Sequence, residues 1–445
     1  MCADIQWQAY LATASEIKDA SWWEELKSSF IQTIRLHSVR LSNLRKNEIR
    51  SLEQQIKAAT DDPKADTAHV NKIKNELEAC ISYCLKGDAM RAKIDTFNEE
   101  LPQHVIKQRE RSMGAKKRMN KLVTDSGVLT DTAAILNEAT HFYSKLYSAE
   151  PVDESCIDYF LSDVKRMPDV FQSKCEASLT YGECMSAIGG MKSGKAPWRD
   201  GLPVEFYKLY FPLFGAAFVE MINHCFDAEL LPPSMRHGII TLLRKDKFSD
   251  ENINSWRPIS LLNVDFKIVS KSLASRLKMV VHSVVHPDQT CAIPGRSVVD
   301  NLHLIRNVVD YAQVTNTPIA ILALDQAKAF DRVSHEYLFA VLKAYGFGEN
   351  CIQWIRLCYT QCTSQLFING FLSESFYITR SIRQGCGLSA LLYVLCIEPL
   401  AHRVRSENKI VGLSMPSAPE ETKVSLYADD VTAIVCCEES ISRLN

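Results

Sequence analysis

Two adjacent aspartates, Asp429 and Asp430, stand inside an apolar run, SLYADDVTAIV at 425–435. Like charges repel and carboxylates resist burial unless something cationic offsets them, so the pair calls for a partner. A third carboxylate, Asp325, closes IAILALD at 319–325, a run whose composition predicts a buried strand leading into a helix that Ser334 could cap. Around Ala428–Asp430, KVSLY and VTAIV predict two strands of a tight hairpin that projects its carboxylates at the turn. Taken singly, an aspartate after a strand is more often a cap or turn residue than a catalyst. If the two elements are neighbours in one sheet, three carboxylates converge, an arrangement that divalent cations relieve. Mg²⁺, with Mn²⁺ as the alternative, accepts carboxylate oxygens together with substrate phosphates. Two such ions roughly 3.5 to 4 Å apart stabilise the attacking and leaving oxygens of a phosphoryl displacement. The chemistry that fits is nucleotidyl transfer to a primer 3′-hydroxyl.

The elements that must position these residues belong to a chain of mixed texture. In the first 125 or so residues glycine is nearly absent, and Leu26, Phe30, Ile34, Leu41, Leu44, Ile49, Leu52 and Ile56 recur at helical spacing. Asp61, Asp62 and Pro63 end that helix, and Val70, Ile73, Leu77, Ile81 and Cys84 predict a second one that stops at Gly87. Together they predict an antiparallel helical arm. From 125 onward turn signals appear, and GIITLLRK (238–245), IAILALD, SQLFING (364–370) and KVSLYADDVTAIV predict strands between helices. The expected organisation is a helical extension at 1–124, a helical connector at 125–178 and a mixed α+β domain at 179–445.

Charge gives no global address: 51 basic and 53 acidic residues leave a formal net charge of −2. Locally, IKQRERSMGAKKRMNK at 106–121 sets seven Lys or Arg against Glu110, a run that is either a solvated face or a nucleic-acid contact. The fifteen cysteines show no CxxC pair and no zinc-finger spacing, which predicts free thiols in a reducing compartment. The first twenty residues carry polar groups through any signal core, and no apolar run approaches the roughly 18 residues of a membrane helix. A soluble intracellular protein of cytoplasm and nucleus, with no membrane partner, is expected.

DQAKAFDRVSH, RQGCGLS and YADD, in this order, resemble the palm motifs of reverse transcriptases of LINE-type (non-LTR) retrotransposons. GKAPWRDGLPVEFYK at 194–208, NSWRPISLLNVDFKIVSKSLASRLK at 254–278 and DQTCAIPGRSVVDNL at 288–302 are similar to the same family, so the resemblance covers about 125–445. It implies a helical N-terminal arm followed by the fingers and palm of a right-hand polymerase, working on an RNA template, a DNA primer and deoxynucleoside triphosphates. Residue by residue, it makes Asp325, Asp429 and Asp430 the catalytic metal-binding set. Phe330 matches the ring that would clash with a ribose 2′-hydroxyl, and Arg257 a contact to the nucleotide triphosphate. Gln384 and Gly385 match the loop against the nascent base pair, and Arg296 a contact to the template backbone. The chain departs from the pattern at Gly387 and Ala390, where prolines are usual and their loss should loosen the loop, and at Trp198, where Gly is common. The aromatic-containing stretch usual before KKRMNKL is also missing. The family's proteins carry an endonuclease before the polymerase and a thumb after it. This chain is therefore expected to be truncated after the YADD hairpin, leaving 423–440 an exposed, aggregation-prone edge. Two other readings share these residues: an inactive remnant that at most binds nucleic acid through the arm and the basic residues at 106–121 and 236–278, and an RNA-dependent RNA polymerase, against which Phe330 and the RQG loop count.

Overall fold

The computed structural model describes residues 18–61, 67–91, 118–195, 199–245, 251–416 and 420–444. Trp198 and most of the basic run, 106–117, lie outside the described residues. The helical stripe predicted from Leu26 onward forms a 42-residue helix, Ala20–Asp61, and a second helix, Thr67–Arg91, returns along it. Arg45 lies over the ring of Tyr83 at 4.3 Å, which fixes the pair as antiparallel. The second helix continues through Gly87, because a glycine inside a helix costs only about 1 kcal/mol against alanine and is not by itself a stop.

The root of this arm is part of the core. Trp22, Trp23, Leu26 and Phe30 are buried, with Trp23 edge-on to Phe218 at 5.0 Å and Phe30 edge-on to Phe206 at 5.3 Å. Both phenylalanines belong to helix Val204–Asp227, which is long and apolar enough by composition to cross a membrane, a stretch the sequence reading overlooked. Here Phe206, Phe211, Phe214, Phe218 and Met221 are buried, and the apolar length serves packing against the arm. Within the segment expected as a helical connector, helices stand at Thr132–Leu146, at Glu154–Leu161 with Asp153 as its cap, and at Gln172–Glu176.

Among the described residues ten strands form three sheets. A small hairpin joins β1 (Leu122–Thr124) to β2 (Gly127–Leu129). A five-stranded sheet takes β3 (His237–Arg244), β4 (Trp256–Leu261), β6 (Thr363–Ile368), β7 (Phe371–Leu372) and β8 (Phe376–Tyr377), in the order β4-β3-β6-β7 with β8 also on β6. An antiparallel three-stranded sheet takes β5 (Ala320–Asp325), β9 (Val424–Tyr427) and β10 (Asp430–Val435) in the order β5-β10-β9.

That order corrects two expectations. β5 is an edge strand, not a buried one, and Ile321 and Leu324 are each 41% exposed. The YADD hairpin, by contrast, is covered: Val424, Leu426, Ala433, Ile434 and Val435 are buried. Ile434 packs with Val308 and Ala312 of helix Val298–Thr315. Segment 288–290 meets the outer side of β9, and Ser440 of the helix Glu438–Leu444 ties back to Val411 N–H at 2.9 Å. Among the described residues the open edge of this sheet is β5, which has a hydrogen-bonded neighbour on one side only.

Candidate active site

β5 and β10 run antiparallel with Asp325 directly opposite Asp430. Side chains at such opposed positions share one face with Cβ atoms about 4.5 to 5.5 Å apart, so two of the three carboxylates are cross-strand neighbours. Asp430 also pairs with Tyr427 across β9, leaving Ala428 and Asp429 as a two-residue turn. Ala428 takes φ 53, the positive value that a hairpin turn of this length demands at its first position. Register and turn thus bring Asp325, Asp429 and Asp430 together.

The half-buried Asp429 carboxyl is held above the usual carboxylate range, first by burial and then by the charges of Asp430 and Asp325. Arg257, exposed on β4, opposes that shift, so a fourth candidate lies near the three carboxylates. Among the described residues no three His, Cys, Asp or Glu side chains are already closed around a metal-sized point. The mutual repulsion nevertheless describes an all-oxygen donor set that a hard divalent cation would neutralise, so Mg²⁺ or Mn²⁺ fits the residues present.

Phe330 stands beside this cluster on the helix Ala329–Arg332, stacked on Tyr393 with centroids 4.3 Å apart and planes at 19°. Tyr393 in turn donates its hydroxyl to Gln326 Oε1 at 2.7 Å, so the ring of Phe330 is held from behind. The Gln384–Gly385 loop lies against β4. Ser260 N–H donates to the Gln384 carbonyl at 2.8 Å, and a Cβ on Gly385, at φ 110, would stand 2.4 Å from the Ser260 carbonyl oxygen. Glycine is required there by both conformation and space. Gly387 is also tightly packed, since a Cβ would come within 2.8 Å of Lys271 Cγ. Its lack of a side chain lets the loop sit close on helix Val264–Val284.

Arg296, expected at the template backbone, is half-buried and bonded within the chain. Its guanidinium donates to the carbonyls of His286 at 2.6 Å, Gln289 at 2.8 Å and Val285 at 3.2 Å, and burial lowers its pKa. These bonds give three of its five donors to the chain's own backbone.

Sequence reasoning missed Asp331, which is 3% exposed. Its Oδ1 accepts the Tyr147 hydroxyl at 3.1 Å, and both its oxygens accept Gln384 Nε2 at 3.4 Å. Its place in DQAKAFDRV, one residue past Phe330, was the available signal. Burial pushes the carboxyl up to about 6, against the pull of Tyr147, Lys328, Gln384 and Lys245. A carboxyl raised in the folded state contributes stability that is complete below its unfolded pKa of about 3.9 and is lost as pH rises through about 6. The difference amounts to about 3 kcal/mol between pH 4 and pH 7.5. Thermal midpoints measured across that range should therefore fall less in Asp331→Asn than in the parent chain. Parallel curves would refute the assignment.

Residues 243–444 match the family model of reverse transcriptase (RNA-dependent DNA polymerase). Over 326 residues the chain is 35% identical to the Transposon TX1 uncharacterized 149 kDa protein of Xenopus laevis, covering 73% of this chain and 25% of that protein. It is 28% identical over 254 residues to the Retrovirus-related Pol polyprotein from type-1 retrotransposable element R2 of Popillia japonica, covering 56% and 34%. It is 25% identical over 275 residues to the RNA-directed DNA polymerase from mobile element jockey of Drosophila melanogaster, covering 60% and 28%. The chain spans roughly a quarter to a third of the length of these relatives.

Proposed function

We propose, for a chain that carries a reverse transcriptase domain of the non-LTR retrotransposon kind, that it performs RNA-directed DNA synthesis, adding deoxynucleotides to a primer 3′-hydroxyl inside the cell. In this reading the three-stranded sheet belongs to the palm and the five-stranded sheet, with β4, to the fingers. The observation that carries it is the register of Asp325 opposite Asp430 beside the Ala428–Asp429 turn.

Asp325, Asp429 and Asp430 would hold Mg²⁺, or Mn²⁺, which when bound activates the primer hydroxyl and neutralises charge on the transferred phosphate. Arg257 binds the triphosphate through charge-assisted hydrogen bonds and orients it toward the carboxylates. Gln384 and Gly385 support the nascent base pair, where the glycine permits close backbone approach. Phe330, backed by Tyr393, occupies the space a ribose 2′-hydroxyl would need.

The test is Mg²⁺-dependent primer extension on an RNA template with deoxynucleotides, comparing the chain with Asp429→Asn. Extension that the substitution abolishes supports the reading. A folded chain that extends nothing in either form moves the function to an inactive remnant that at most binds nucleic acid. Within an active chain, Phe330→Ala should lower discrimination against ribonucleotides by about ten- to a hundredfold, as read from incorporation ratios. Unchanged selectivity would remove Phe330 from the sugar gate and reopen the RNA polymerase alternative.

A further inference from the structure

The turn that presents Asp429 is held from outside its own hairpin. Leu426 N–H donates to the Asp288 carbonyl at 2.9 Å, and the Leu426 carbonyl accepts Thr290 N–H at 3.1 Å, so 288–290 runs along β9 as a parallel partner. Asn301 Nδ2 adds bonds to the Leu426 carbonyl at 3.0 Å and Ser425 Oγ at 2.7 Å. Gln289, 0% exposed, lies between these strands. Its Oε1 accepts Ala428 N–H at 3.1 Å and Cys291 N–H at 3.0 Å.

We propose that Gln289 is a positioning residue for nucleotidyl transfer: its side-chain oxygen fixes the Ala428–Asp429 turn, and Arg296 fixes Gln289 in turn through its carbonyl. This rests on the polymerase reading given above. Two features point to a role beyond filling space. Gln289 Nε2 is fully buried with no hydrogen-bond partner, so the amide is retained for its oxygen alone despite the cost of desolvating the nitrogen. Its uncharged oxygen also suits a turn that already carries crowded carboxylates, where an ionised acceptor would add to their repulsion. The N–H it holds belongs to Ala428, a buried non-glycine residue at positive φ that must stay there for Asp429 to face Asp325.

The experiment uses the whole chain and Gln289→Met, which keeps length without an acceptor. Amide hydrogen exchange is followed on a peptide spanning 424–431, with helix Ser389–Ser406 as the internal standard for global stability. Mn²⁺ binding is measured by electron paramagnetic resonance, and extension is split into kcat and KM. Losing a buried acceptor should speed exchange at the turn by about tenfold or more in Gln289→Met, weaken Mn²⁺ binding and lower kcat with KM for nucleotide kept. Unchanged exchange at 424–431, exchange that rises equally in the standard helix, or faster turn exchange with Mn²⁺ affinity and kcat intact would each overturn the proposal. Failure of the underlying reading looks different: the parent chain itself then neither binds Mn²⁺ nor extends primer, and the positioning role falls with it whatever the exchange shows.

Discussion

Asp429→Asn should reduce primer extension by about a thousandfold or more while leaving the chain folded, and without metal slightly firmer. The catalytic loss follows from the charge: an amide is a weak ligand for a hard cation, and removing one preorganised electrostatic partner of a reacting phosphate costs about 10² to 10³ before any loss of metal is counted. The stability effect follows from the raised Asp429 carboxyl, which burial, Asp430 and Asp325 all disfavour as an anion. Its contribution to stability is complete below the unfolded pKa and disappears as pH rises through the folded one, so at neutral pH the ionised side chain strains the metal-free fold. Asparagine removes that strain. Divalent cation binds only the folded set and should raise the thermal midpoint of the parent chain and not of the variant. An Asn variant that extends primer at the parent rate would remove Asp429 from the chemistry.

What the sequence made legible was local. The hairpin around Ala428–Asp429 is encoded by its own strands, and Ser334 caps helix His335–Ala344 where expected, accepting Tyr337 N–H at 3.4 Å. The arm's first helix ends at Asp61, as Asp61, Asp62 and Pro63 require. Strand order was not legible. IAILALD has the composition of a central strand, and only the tertiary arrangement makes β5 the edge and places β10 between its neighbours. The polar supports were also hidden, because they join distant segments: Gln289 reaches Ala428 across 139 positions, and Tyr147 reaches Asp331 across 184. A buried acceptor and a surface glutamine look alike in one sequence. Arg296 shows the converse, since a cation near a motif invites a nucleic-acid role while its bonds to three backbone carbonyls leave no trace in the sequence.

Lys27→Met should destabilise the chain by about 3 to 5 kcal/mol, a cost typical of removing one partner from a buried ion network. Lys27 is 2% exposed at the root of the arm, where its ammonium meets Asp265 at 2.7 Å, Asp200 at 3.0 Å and Ser234 Oγ at 2.9 Å. Burial alone would lower the Lys27 pKa, yet the two carboxylates outweigh it and the pKa is raised. Asp200 is pushed up by burial even with Lys27 beside it, so one cation is shared between two costly anions. Methionine keeps the volume and leaves both uncompensated, whereas Asp265→Asn in the same chain should recover part of the loss as a negative coupling in the double-mutant cycle. Trp23 Nε1 also donates to Asp265 at 3.0 Å, so the arm and helix Val264–Val284 share a single acceptor. That helix follows β4, which carries Arg257 and Ser260, and loosening it should raise KM for nucleotide more than it lowers kcat. Denaturation midpoints together with extension kinetics check both effects. A variant as stable as the parent would make the arm's docking independent of Lys27, held by Trp23 and Phe30.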